Sequence, residues 1–163
     1  MPVRSLTLAL LLLVQTAHAQ TAPPAPARLD ARAAQAIITG CVAHATGRNQ
    51  SHGIAVVDAG GHLVASLRMD GNGYGIMDFA LTKAGAAAAW GFPTAGMEEA
   101  ARRTPGFAYA PYVVTVGGGV PVFSADGRER IGAVGVSGEA PADDVACAEA
   151  GIRAAGLRLA RAG

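Results

Sequence analysis

Lysine is almost missing from this chain: Lys83 is the one lysine in 163 residues, and every other basic side chain apart from histidine is an arginine. Aromatic residues are scarce as well, at 5%. With no basic stripe and no stacking aromatics beside it, nothing marks a nucleic-acid partner. Metal-ligand spacing is absent too: His44 and His52 stand apart in sequence, and no HxxxH or CxxC cluster occurs, which argues against a transition-metal enzyme. Ser137 sits in Gly135-Val136-Ser137-Gly138, which lacks the second glycine spacing of a nucleophile elbow. Neither Cys41 nor Cys147 has the basic neighbours that would activate a thiolate.

The only long apolar run is at the start, from Leu6 to Val14, too short for a bilayer crossing of about 20 residues. It follows Met1-Pro2-Val3-Arg4 and precedes Ala17-His18-Ala19, which together read as a signal peptide over residues 1–19. A periplasmic or secreted protein is expected, with no membrane span in the mature chain. Residues 20–27 are rich in Pro and Ala and read as a flexible segment. Residues 28–163 then suit a single domain. Loss of Arg4 leaves the mature chain with no net charge, which is compatible with self-association. Two readings stand for Cys41 and Cys147: a disulfide, favoured by an oxidising compartment, or two buried thiols.

Along the domain, Ile37, Ile38, Cys41, Val42 and Ala45 recur at helical spacing, predicting a helix over Ala31–Thr46 that Gly47 ends. Strands are expected at Gly53–Asp58 and residues 62–69, joined at Ala59-Gly60-Gly61, because paired glycines accept a tight turn. A second helix is expected over residues 78–90 and a short one over Thr94–Arg103, with Thr94 as its cap. Further strands are expected at residues 112–116, 120–124 and 130–137, and a last helix from 142 to about 160. Hairpin-linked strands among helices predict an α+β fold.

Four stretches carry a family resemblance: residues 55–64, Arg68-Met69-Asp70, Lys83-Ala84, and Gly117-Gly118-Gly119-Val120-Pro121-Val122 continuing through Asp126-Gly127 to Gly138, with Asp143-Asp144 trailing. In that order they resemble the GlcG/HbpS family, which is similar to the carboxy-terminal domain of two-domain cobalamin adenosyltransferases. The resemblance implies a profilin-like antiparallel sheet of about five strands flanked by helices. It also implies a homo-oligomer, from dimer to octamer, and haem as the cofactor, with haem degradation or sensing known among members.

A haem iron needs an axial His, Met, Tyr or Cys. Since related domains are thought to ligate iron from their amino-terminal region, the resemblance points to His44. His52 and His62 read as a strand-start residue and a solvated turn residue. Met69 and Tyr74 flank a glycine-rich loop that could cover an apolar cofactor, and Gly118 and Gly119 would let a ligand approach the backbone. An enzyme acting on a small organic acid or carbonyl compound is the alternative. Asp58, Arg68, Asp70 and Lys83 would then converge, Arg68 pairing a carboxylate and Lys83 moving a proton. The competing reading of those four is structural ion pairing.

Overall fold

The computed structural model describes residues 28–163. The expected signal peptide and Pro/Ala-rich segment lie outside the described residues.

Helix α1, Ala31–Thr46, starts where the Asp30 side chain accepts from the Ala33 N–H, and it buries Ala34, Ile37, Ile38, Cys41 and Ala45. That is the stripe expected from the sequence. Strands β1 (Gly53–Asp58) and β2 (Leu63–Arg68) form the expected hairpin. Gly61 takes φ +84° in its turn, a conformation that costs glycine little. Helices α2 (Tyr74–Trp90) and α3 (Thr94–Arg103) follow, then a 3-10 turn at Phe107–Tyr109. Strands β3 (Gly119–Phe123) and β4 (Arg130–Ser137) lead into α4 (Pro141–Ala154). The sheet is antiparallel, in the order β2-β1-β4-β3.

The two faces of the sheet are packed differently. Ile54, Val56, Val120, Val122, Val134 and Val136 meet α1 and α4 in the larger core. Ala55, Val57 and Ala133 meet Ala80, Ala84, Ala87 and Ala88 of α2. Small side chains on that second face let α2 lie almost against the strands. A Cβ on Gly135 would stand 1.9 Å from the Ala80 carbonyl oxygen, and one on Gly119 would stand 2.4 Å from that of Lys83.

Helices α1 and α4 run antiparallel. Gly151 packs on Ile37, Gly40 on Ala154, and Cys41 and Cys147 are joined by a disulfide. Closing a loop this long removes conformational freedom from the unfolded chain.

Four expectations shift. Helix α2 begins at Tyr74, one turn before the expected residue 78. Residues 112–116 are not a strand, so the sheet has four strands within the expected α+β class. Val114 is instead buried against Ala86 and Met97, with Phe92, Phe107, Val113 and Val116 around them, and the outer edge of β3 pairs with Arg158. Helix α4 stops at Ala154, and residues beyond it run back across the β3–β4 turn. Thr94 is the first residue of α3 and not its cap; its hydroxyl accepts from the Gly119 N–H at 2.9 Å.

Candidate functional site

The loops leading into β1, out of β2 and out of β4 meet at one end of the sheet. Ser51 ties them together: its N–H donates to Glu139 Oε1 at 3.0 Å, its hydroxyl donates to the Asp70 carbonyl at 2.6 Å, and it accepts from Asn72 Nδ2 at 2.6 Å. Beneath this knot lies a buried array of charge.

Lys83 sits mid-way along α2 with its side chain turned into the sheet, 1% exposed. Its ammonium donates to the Val136 carbonyl at 3.0 Å and to Asp144 Oδ2 at 2.8 Å, and lies 4.8 Å from the Phe79 ring centroid. Asp144 belongs to the first turn of α4, where the helix dipole favours a carboxylate. Its other oxygen accepts from the Glu139 N–H at 3.2 Å and lies 3.1 Å from His52 Nδ1. His52 Nε2 is buried and without a protein partner. A carboxylate behind an imidazole is the arrangement that orients a ligating histidine.

His44 stands one turn past the disulfide, half-buried, with Nδ1 3.3 Å from Arg48 Nη1. Its pKa lies below the usual value, first because burial disfavours the charged ring, then because Arg48 and His52 stand nearby; Asp143 works the other way. The ring is therefore neutral at neutral pH, the form that binds metals. Its Nε2, like Gln50 Oε1 and His52 Nε2, is buried and unpartnered. These three atoms all belong to the short stretch from residue 44 to 52.

The four residues of the enzyme reading do not converge. Asp58 lies at the far end of β1, opposite Gly132, whereas Arg68 pairs across from Gly53 at the near end. Asp58 Oδ1 accepts from the N–H groups of Gly60 and His62 at 2.9 Å each and lies 3.2 Å from His62 Nδ1. Its pKa is held below the usual carboxylate value, chiefly by the His62 N–H bond. That is a turn-forming role. Arg68 donates to the Asn72 carbonyl, Asp70 contributes its carbonyl to Ser51, and Lys83 is engaged with Asp144. Gly118 and Gly119 are needed for close approach, but by α2 itself: a Cβ on Gly118 would stand 2.8 Å from Lys83 Nζ. Met69 packs against the larger core, while Tyr74 is 82% exposed at the start of α2.

His52, expected as a strand-start residue, is fully buried. The sequence held a signal for it in Asp143-Asp144, a pair whose partners only the fold supplies. Among the described residues no three His, Cys, Asp or Glu side chains form a metal-holding group, and no helix is long and apolar enough to cross a membrane. A cavity of about 310 Å³ lies between the β1–β2 turn and Tyr112. A second, of about 370 Å³, lies beside Arg153. Both are at the small end for ligand sites, and no histidine lines either.

Fold and site together define a small α+β domain in which one antiparallel sheet carries helices on both faces and a buried Lys–Asp–His array at one end. The chain belongs to the HbpS-like family, described as "Haem degrading protein HbpS-like", which matches residues 29–153. Protein GlcG of Escherichia coli is 41% identical over 110 residues, 67% of this chain and 81% of GlcG. Among solved structures, Klebsiella pneumoniae protein ORFY superimposes with a TM-score of 0.71 at 26% identity, over 83% of this chain and 97% of that one. The PduOC:haem complex shares the fold with a TM-score of 0.74 at 23% identity, over 83% of this chain and all of that one.

Proposed function

We propose that this protein binds haem, as an exported homo-oligomer in the periplasm or secreted, with His44 as the iron ligand. The observation that carries the reading is the His44 imidazole within an HbpS-like domain. It is half-buried, its pKa is lowered by its surroundings, its Nε2 is buried without a protein partner, and its Nδ1 faces only Arg48. These properties suit an axial ligand. The Arg48 contact at His44 Nδ1 joins exposed groups and is weak enough to yield. When bound, the iron porphyrin supplies redox and oxygen chemistry, and the protein's part is to ligate the iron and shield one face of the ring.

The cavities beside Tyr112 and Arg153 are small for a macrocycle, which favours a site completed by a second copy. Exposed Tyr74, Phe79 and Leu81 of α2, with Leu63 and Leu67 on the edge strand, offer apolar surface for both purposes. Size determination of the purified mature chain checks the oligomer.

Haemin titration with detection of the Soret band tests the reading. Saturable binding that is lost or strongly weakened in His44→Ala supports it. Absence of saturable binding at micromolar haemin overturns haem binding, and an unchanged titration in His44→Ala overturns the ligand.

A further inference from the structure

Beyond α4 the chain is held down as a strap. Arg158 exchanges both backbone hydrogen bonds with Phe123, at 2.9 and 3.1 Å, and the Ala162 N–H donates to the Gly127 carbonyl at 2.9 Å. Gly127 takes φ +75°, and a Cβ there would stand 2.9 Å from Ala162 N and 3.0 Å from Arg158 Cδ. Glycine is thus required for the strap to seat. Leu157 and Leu159 turn toward the larger core while remaining half-exposed.

A groove of about 370 Å³ opens beside this strap, lined by Arg153, Leu157, Arg158, Leu159, Ala160 and Arg161. Three arginines and two leucines therefore line one groove. Arg153 pairs with Glu149 at 2.8 Å, and Arg158 Nε donates to the Ala125 carbonyl at 3.0 Å. Side chains fixed in advance lose less freedom when a ligand arrives. Guanidinium groups also match a carboxylate in charge and in planar hydrogen-bond geometry.

We propose that this groove is a binding site for a small amphiphilic carboxylate, its charged end held by Arg158 and Arg161 and its hydrocarbon body laid on Leu157 and Leu159. The site is separate from the His44–Asp144 end: from residue 144 to 154 helix α4 covers roughly 15 Å. It also goes beyond the haem reading, because the strap lies past residue 153, where the family match ends.

The test is titration of the purified protein with dodecanoate below its micelle-forming concentration, followed by calorimetry and amide NMR. Acetate supplies the charge without the chain, and dodecyl maltoside the chain without the charge. Expected is saturable one-to-one binding of dodecanoate, with shifts at residues 153 and 157–161. Replacing Arg158→Gln and Arg161→Gln together should weaken it by about tenfold, while His44→Ala leaves it unchanged. If the double variant fails to fold, Arg161→Gln alone should weaken it about threefold. The proposal is overturned by no saturable binding, by equal affinity in the arginine variants, or by dodecyl maltoside binding as tightly as dodecanoate.

Discussion

Lys83 Nζ lies 2.8 Å from Asp144 Oδ2, and neither side chain reaches water. Removing one charge of such a pair strands the other in a medium that cannot solvate it. Lys83→Met is therefore expected to cost about 3–5 kcal/mol, because the Asp144 carboxylate stays behind. Lys83→Met combined with Asp144→Leu should recover part of that loss, since the apolar pair fills the space without a stranded ion. Urea denaturation of the three proteins measures it. A double variant no more stable than Lys83→Met alone would show that the array contributes more than charge balance.

The disulfide makes a second expectation. Cys41 and Cys147 are separated by 106 positions, so Cys41→Ser with Cys147→Ser, or reduction, should cost up to about 4 kcal/mol. The melting temperature with and without reductant reports it, and the same variants test whether the α1–α4 register that places His44 beside Asp143 survives.

A third concerns pH. The folded pKa of His44 lies below its ordinary 6.5. Between those two values the unfolded chain binds more protons than the folded one, so stability rises with pH through that window. The contribution is complete above 6.5 and is lost as pH falls through the folded pKa. Wild type and His44→Gln should therefore differ in the slope of stability against pH just below 6.5, the variant being flatter. Asp58 has the same sign lower down: its depressed pKa contributes above its unfolded value and is lost in acid.

A fourth separates glycines that hold the fold from those that do not. Gly135→Ala places a methyl group 1.9 Å from the Ala80 oxygen, which forces α2 off the sheet, and loss of cooperative unfolding is expected. Gly85 lies within α2 and an added Cβ there meets nothing within 4 Å. Gly85→Ala should stabilise by about 0.5–1 kcal/mol through helix propensity. Thermal melts of the two variants should move in opposite directions.

Much of the architecture was readable from periodicity and turns. The stripe of α1 and the glycine-centred hairpins depend on contacts within or between neighbouring elements, and they appear where expected. The stretch at 112–116 misleads because β-branched residues suit any half-buried surface; here the surface is α3 and the aromatic turn. The candidate site was less legible. Asp58, Arg68, Asp70 and Lys83 were to converge only under the enzyme reading, and six residues of β-strand carry the two ends of a hairpin apart. Lys83 stands out in the sequence as the one lysine, yet its partner lies 61 positions away. His52 looked ordinary because nothing local distinguishes a strand-start histidine from one clamped by a distant aspartate.

Folding encloses the one lysine of the chain, so the described surface presents arginines and no primary amine from a side chain. Reagents that acylate amines should pass over the folded domain and modify residue 83 only when α2 lifts from the sheet. The chain thus carries its own chemical reporter of opening: the rate of labelling at Lys83 is a clock for the loss of its buried ion pair.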